Sequence, residues 1–114
     1  IVAHLADSEI VAGWRLRQIL TKDGVSIQGY DQNAWSATFN YKRRDTRKSL
    51  EIFRILREYN LAMLKSVPDA LWENHGIHPE RGRESARHVV RMFAGHDVNH
   101  VSQVERIVKE ARKK

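Results

Sequence analysis

The sequence predicts an all-α protein, a bundle of long amphipathic helices in one domain. In residues 1–21, 46–67 and 84–111, apolar residues recur at spacings of three, four and seven, which is the period of one helix face. With 114 residues the chain is long enough for one hydrophobic core and too short for two, so we expect a single domain over residues 1–114. No apolar run has the length of a membrane-spanning helix.

The first predicted helix covers residues 1–21. Gly24 lies shortly after its last apolar residue, and glycine commonly follows a helix end. Residue 1 is Ile rather than Met, and the helical period already includes it, so we expect the natural boundary of the chain to lie upstream. The stripe that we expect to be buried consists of Ile1, Leu5, Ala12, Leu16 and Ile19.

A long connection, residues 22–44, follows the first helix and is rich in turn-forming residues. A loop of this length in a small domain is usually functional or is held down by its own side chains. It contains three aromatic residues, Tyr30, Trp35 and Phe39. They favour packing of the connection against the core, although Tyr30 and Trp35, with Asp31, are also candidates for the wall of a substrate pocket.

The second predicted helix covers residues 46–67. Asp45 or Thr46 can cap its start, and Pro68 lies just past its end, where a short turn through Trp72 follows. The expected buried stripe consists of Leu50, Phe53, Leu56, Asn60, Leu64 and Val67.

Residues 73–82 are polar and are predicted to form a loop. His75 and His78 lie in this stretch beside Pro79. Complete metal sites are rare, so we favour a surface role for both histidines over metal ligation.

The last predicted helix, residues 84–111, carries two histidines at core positions. His96 and His100 are four residues apart, so they project from one helix face, in a stripe that also contains Phe93 and Val104. Buried imidazoles need partners for their ring nitrogens. A bound metal ion satisfies both rings at once, and hydrogen bonds to buried polar groups or water are the alternative.

His4 is the candidate for a third ligand. It lies on the first helix, one position away from Leu5 of the apolar stripe. Ligands on facing helices commonly hold metals in the cores of helical bundles. A half-exposed core histidine without a metal is the alternative interpretation.

Cysteine is absent from the sequence. This excludes disulfides, thiolate metal ligands and a cysteine nucleophile, and it leaves imidazole, carboxylate and water as metal ligands. The absence also fits a reducing compartment, so we expect a cytoplasmic protein.

Several short motifs, taken in order along the chain, resemble the DinB-like superfamily, and more broadly the DinB/YfiT group of metal-dependent hydrolases and thiol transferases. The resemblance extends over essentially the whole chain. The motifs are His4-Leu5-Ala6-Asp7-Ser8-Glu9 with Arg15, Tyr30-Asp31-Gln32 with Trp35, the loop with Gly76, His78 and Gly82, and Gly95-His96-Asp97-Val98-Asn99-His100 with Gln103.

The resemblance implies a four-helix bundle in which His4, His96 and His100 hold one divalent ion, nickel or zinc. It also implies transfer of a small thiol to an electrophile, or hydrolysis, and it assigns no catalytic residue. Members of the group carry a further helix before the first histidine motif, and this helix is missing here. We therefore expect an exposed apolar face, and a homodimer is one way to cover it.

A second interpretation remains open, a non-catalytic helical module that acts through dimerisation or a basic surface. The net charge is +6, which can attract nucleic acid, but much of the excess is local. One basic cluster, residues 42–48, lies at the start of a predicted helix, and the other, residues 112–114, closes the last one, where the helix dipole favours cations without any ligand. We therefore favour a solvated surface over a nucleic-acid partner.

Charged residues near the histidines allow weaker predictions. Asp7 and Asp97 are candidates to orient the imidazoles, although surface or capping roles are favoured. Glu9 and Arg15 are expected to form a salt bridge, and contact with an anionic substrate is the alternative.

Overall fold

Helices dominate the fold in a computed structural model, which describes residues 2–94. A fourth helix, α4, begins at residue 86 and is described as far as residue 94. The predicted helical architecture is confirmed, and the long connection contains a short helix that the sequence pattern did not reveal. The first three helices are α1 (Val2–Thr21), α2 (Gln32–Thr38) and α3 (Thr46–Lys65).

Helix starts follow the predicted capping chemistry. Asp45 caps α3 through a side-chain oxygen that accepts a hydrogen bond from the Lys48 amide at 3.1 Å. Asp31 caps α2 in the same way by accepting from the Ala34 amide at 3.0 Å. Among the described helices, none is both long enough and apolar enough to cross a bilayer.

Helices α1 and α3 run parallel, as their contacts show: residues later in α1 contact residues later in α3. Leu5 clusters with Phe53 near the helix starts, Glu9 binds Arg57, and Arg17 binds Asn60. A helix of 20 residues is about 30 Å long. The long connection must therefore return the chain along α1, which explains its length.

Helix α4 runs antiparallel to α1. Val89 joins a core cluster with Leu16 and Ile19 from the second half of α1. Phe93, one turn later on α4, lines a cavity with His4 and Ser8 from the first half.

A three-stranded sheet includes half of the stretch that was predicted to be a loop, and its last strand extends into the predicted last helix, which begins at residue 86 rather than 84. The strands are β1 (Val25–Ser26), β2 (His75–His78) and β3 (Gly82–Ser85), in the order β1-β2-β3, and β2 is parallel to β1 and antiparallel to β3. The loop prediction for residues 73–82 was wrong because β2 reverses the usual burial pattern: Gly76 and His78 are buried, whereas Ile77 is exposed.

The main core lies where the second half of α1 meets the sheet and α4. Partly buried side chains from the end of α3 complete it, among them Met63 and Leu64. The buried members of this core are Leu16, Ile19, Leu20, Ile27, Ala86 and Val89.

Large apolar side chains are exposed on both long parallel helices, as expected for a bundle with an open face. Ile10 and Trp14 on α1 are half or more exposed, and so are Ile55 and Tyr59 on α3. Their spacings of four residues place each pair on one helix face. The homodimer stays a prediction.

A buried ion pair joins α1 and α3. Arg57 donates to both carboxylate oxygens of Glu9, from Nε at 2.9 Å and from Nη2 at 3.0 Å, and Asn60 Nδ2 donates to Oε1 at 3.1 Å. The expected salt bridge between Glu9 and Arg15 was therefore wrong. Arg57 reaches across from α3 and takes both carboxylate oxygens.

We expect Arg57→Met to lower the free energy of unfolding by about 2–3 kcal/mol, because the buried Glu9 carboxylate loses its cationic partner. The loss falls at the low end of the range for buried pairs because the Arg57 side chain is 30% exposed. Chemical denaturation measures it, with Arg54→Met on the exposed side of α3 as the matched control. Adding Glu9→Gln should restore part of the loss. A double variant as unstable as the sum of its parts would contradict the explanation.

Gly76 brings β2 into close contact with α1. A Cβ atom at this position would lie 2.3 Å from Ile27 Cδ1 and 3.0 Å from Ile19 Cγ1. We expect Gly76→Ala to cost about 1–3 kcal/mol through overpacking, measured by thermal or chemical unfolding. Gly29→Ala, which meets only ordinary van der Waals contacts, is the control. Ile27→Val removes the nearest methyl group and should relieve part of the cost; no relief would count against this packing.

Candidate metal centre and adjoining cavity

His4 is buried on α1, as the prediction of a metal ligand requires. Its side chain lies near Ser8, one turn later, whose Oγ is 3.4 Å from each of the two ring nitrogens. Ser8 is also buried, and its Oγ lies 3.3 Å from the hydroxyl of Tyr30 in the long connection. The first half of α1 and the connection together surround the imidazole.

A cavity of about 160 Å³ adjoins His4. Met92 and Phe93 of α4 form one wall, and Ser8 and Tyr30 lie on other sides. The described residues therefore bring α1, the connection and α4 together around this histidine.

The other two predicted ligands, His96 and His100, lie outside the described residues. Within residues 2–94, no group of three or more histidine, aspartate or glutamate side chains could hold a metal ion. Ligation by His4, His96 and His100 therefore stays a prediction.

A larger cavity of about 780 Å³ adjoins the first one. Arg15, Tyr30, Gln32 and Arg81 line both cavities, so the two spaces meet along these side chains. The sequence motifs indicated Arg15 and Tyr30, whereas Arg81 was missed because its position in a hairpin turn was not foreseen.

Arg15 is 5% exposed and forms the inner part of the larger cavity. One terminal nitrogen donates to the Gln28 carbonyl at 3.1 Å, and the guanidinium lies 5.8 Å from the centre of the Tyr30 ring. Its Nε is buried and has no hydrogen-bond partner in the described part of the chain. Burial, followed by the charge of Arg81, lowers the pKa of Arg15 from its ordinary value.

His78 is also buried beside the larger cavity, so the predicted surface role was wrong. Its Nδ1 accepts hydrogen bonds from the backbone amides of Glu80 at 3.1 Å and Arg81 at 3.2 Å. In the neutral ring the proton must then be on Nε2, which becomes a donor. Burial lowers the pKa of His78, and the charges of Arg81 and Arg15 lower it further, so the ring is neutral near pH 7.

The second arginine of the cavity is neutralised within the sheet. Arg81 donates from Nε to the buried carboxylate of Glu84, which is three residues later in the chain. Burial alone would raise the pKa of Glu84, but the hydrogen bond and charge of Arg81 outweigh burial and lower it. Glu84 is therefore ionised near neutral pH. It is hydrogen-bonded to Arg81, and its charge also acts to raise the pKa of Arg15, against the larger effects of burial and of Arg81.

The remaining polar candidates lie elsewhere. Asp7 accepts a hydrogen bond from Tyr41, and burial together with this carboxylate raises the Tyr41 pKa well above its usual range. His75 lies 2.8 Å from Asp23 in an ion pair away from His4, and His88 is exposed on α4. Asp97 is outside the described residues.

Comparison of the sequence with family models identifies the family of this helical protein. The family model of the DinB superfamily matches residues 1–104. The chain belongs to the DinB superfamily. The resemblance expected from the sequence motifs is confirmed.

Two bacterial proteins are similar to this chain over most of its length. The chain is 27% identical over 110 residues to a Bacillus subtilis protein named "Putative metal-dependent hydrolase YfiT", covering 93% of this chain and 62% of that one. A protein of Oceanobacillus iheyensis with the same functional name is 26% identical over 109 residues, covering 96% of this chain and 63% of that one. The chain thus spans less than two thirds of the length of these relatives.

The fold matches that of a solved bacterial protein. YfiT from Bacillus subtilis, described as "a probable metal-dependent hydrolase with an unusual four-helix bundle topology", aligns with a TM-score of 0.86 at 24% identity. The alignment covers 96% of this chain and 63% of that structure. The predicted four-helix bundle class is therefore confirmed.

The buried neutral His78 makes stability depend on pH. Its pKa is lower in the fold than in the unfolded chain, where it is 6.5. As pH falls through that value the unfolded chain takes up a proton that the folded chain refuses, so the free energy of unfolding decreases. The charged groups that face the ring are Arg15 from α1, and Arg81, Glu84 and Glu80 from the hairpin.

We expect His78→Gln to flatten this dependence between about pH 7.5 and 5.5. Glutamine can still accept the backbone hydrogen bonds but does not titrate. Denaturant unfolding of both proteins across this range measures the difference in slope, and His88→Gln on exposed α4 is the control. Identical slopes for wild type and His78→Gln would contradict the prediction.

Proposed function

We propose that this DinB-superfamily protein is a metal-dependent enzyme in which His4, His96 and His100 hold one divalent ion, nickel or zinc. The reaction is transfer of a small thiol to an electrophile, or hydrolysis of a small substrate. The observation that carries the proposal is the position of His4, which is buried beside a cavity that meets a much larger polar one. This arrangement gives a ligand both a buried imidazole and room to bind.

The donor set fits such an ion. Imidazole is a good ligand for both zinc and nickel, and the sequence contains no cysteine that would compete for the metal. His4 is buried at the start of α1, and α1 is anchored on both sides by α3 and the connection. Its ring is therefore held in place by the packing of the helix that carries it.

The direction of α4 supports the participation of the other two histidines. Met92 and Phe93 line the cavity of His4, and α4 runs antiparallel to α1. In the sequence, His96 follows Met92 by four residues and His100 follows by eight. Residues at these spacings share one face where a sequence is helical, and this sequence spacing supports the assignment of both histidines to the site of His4.

The names of the relatives support metal-dependent hydrolysis, and the resemblance in the sequence motifs supports thiol transfer. Both reactions need the same chemistry from the metal, which lowers the pKa of a coordinated water or thiol so that it is a nucleophile near neutral pH. The chain's own residues bind and orient the substrate. Tyr30 and Ser8 place hydroxyl groups beside His4, and Arg15 places a cation where the two cavities meet.

Metal content tests the ligand set. We expect protein purified without a histidine tag to carry roughly one equivalent of divalent metal, and His4→Ala and His100→Ala each to lose it. His88→Ala, exposed on α4, and His75→Ala, paired with Asp23, are the matched controls and should keep the metal. Elemental analysis by mass spectrometry gives the content, and circular dichroism confirms that each variant is folded. Full retention by His4→Ala would overturn the site.

Turnover tests the reaction class. The metal-loaded protein is incubated with monobromobimane or a chlorinated aromatic together with candidate small thiols, and separately with ester and amide substrates. We expect product formation that His4→Ala abolishes. Metal-independent rates across the whole panel would overturn the enzymatic proposal, and a salt-sensitive shift of DNA or RNA without any metal effect would support the basic-surface interpretation instead.

A further inference from the structure

We propose that the larger cavity is an anion-binding subsite that takes the carboxylate group of a small-molecule ligand, with Arg15 as its principal contact. His78 and Arg81 supply further hydrogen-bond donors. The inference rests on the proposed function in one respect: the ligand is taken to be the substrate or the small thiol of the proposed reaction. The binding of a carboxylate by the cavity is independent of the metal.

Arg15 is a buried cation that has no ion-pair partner among residues 2–94. Buried charges in proteins are normally paired, because removal from water is costly. In the described part of the chain, no ion pair of Arg15 is observed, and its contacts are a carbonyl group and an aromatic ring. Its Nε has no hydrogen-bond partner there. A ligand carboxylate that contacts the guanidinium from the cavity would compensate this charge.

The carboxylates around the cavity have other partners or lie in solvent. Glu84 binds Arg81, and Glu9 on another side of α1 binds Arg57. Asp31 caps α2 through its side chain and is exposed. Glu80 is exposed at the hairpin turn. None of these four carboxylates forms an ion pair with Arg15 in the described part of the chain, although the charge of Glu84 acts on the guanidinium through space.

The donors are held rigidly before any ligand binds. A terminal nitrogen of Arg15 is fixed by the Gln28 carbonyl, and the His78 ring is fixed by two backbone amides. The His78 tautomer that these amides impose leaves an Nε2–H donor beside the cavity, 3.7 Å from where a Cβ atom on Gly29, another lining residue, would lie. Preorganised donors of this kind lower the cost of ordering a ligand.

Charge balance favours a monoanionic carboxylate over a phosphate dianion. Arg81 is paired with Glu84, and His78 is neutral, so Arg15 is the cation among these three donors that has no ion-pair partner in the described residues. The exposed carboxylates of Asp31 and Glu80 line the same cavity and would repel a second negative charge. The volume of about 780 Å³ is that of a small-molecule site rather than of a surface for a macromolecule.

Four shared lining residues, including Arg15 and Arg81, place this subsite directly beside the cavity of His4. A ligand whose carboxylate contacts Arg15 would extend its remaining atoms towards the imidazole. The subsite therefore selects carboxylate-bearing thiols or electrophiles over neutral ones.

The experiment uses the purified full chain and benzoate as the probe, with neutral benzamide and inorganic phosphate for comparison. Titrations are followed by nitrogen–proton NMR of the arginine Nε–H signals and by calorimetry. We expect benzoate to shift the Arg15 signal, benzamide to leave it unchanged and phosphate to bind more weakly. Arg15→Met should weaken benzoate binding about tenfold or more, the usual loss for a hydrogen-bonded charge. Arg17→Met, which changes an arginine bonded to Asn60, is the matched control.

Variants of the metal ligand separate this inference from the proposed function. We expect His4→Ala to retain benzoate binding and Arg15→Met to retain its metal, measured by calorimetry and elemental analysis. The wild-type NMR titration needs no variant and therefore decides the matter even if Arg15→Met does not fold. The subsite is overturned if benzoate leaves the Arg15 signal unmoved, or if benzamide or phosphate binds equally well. It is also overturned if benzoate binding is lost in His4→Ala but kept in Arg15→Met, because the carboxylate would then bind the metal.

Discussion

Burial of α1 on several sides is the constraint on which the rest of the structure depends. The helix contacts α3, the sheet and α4, so polar residues that lie on these sides of it are buried rather than solvated. Each polar residue must instead find a partner on a neighbouring element or be used by a ligand. The buried polar residues of α1 are His4, Ser8, Glu9 and Arg15.

The two buried charges of α1 meet this constraint in opposite ways. Glu9 has a bidentate arginine and an amide donor, so its carboxylate is satisfied within the protein and joins two parallel helices. Arg15 donates to a backbone carbonyl and lies over an aromatic ring, and these two neutral groups orient its guanidinium without pairing its charge. Residues six positions apart on one helix therefore have different roles, one structural and one suited to recognition of an anion.

Helical period and capping residues predicted the long helices and the start of α3 at Thr46, because these depend on local sequence. They did not predict the sheet or the burial of His78, because β2 buries glycine and histidine and exposes isoleucine. That pattern depends on how closely the strand approaches Ile19 and Ile27, which is a tertiary property. The partner of Glu9 was missed for the same reason, since Arg57 lies on another helix.

The sequence predicts the part of the candidate site that lies on α1, but not the elements that cover it. His4, Ser8 and Arg15 are separated by four and seven residues, so they form one stripe of α1 beside its apolar stripe. The period groups them but does not reveal what covers them. In the structure the cover is the connection with Tyr30 and the hairpin with His78, which contribute hydroxyl, imidazole and backbone groups rather than aliphatic side chains. Because the polar residues of α1 face polar groups of the connection and the hairpin, the space between them is not filled by apolar packing and remains a cavity.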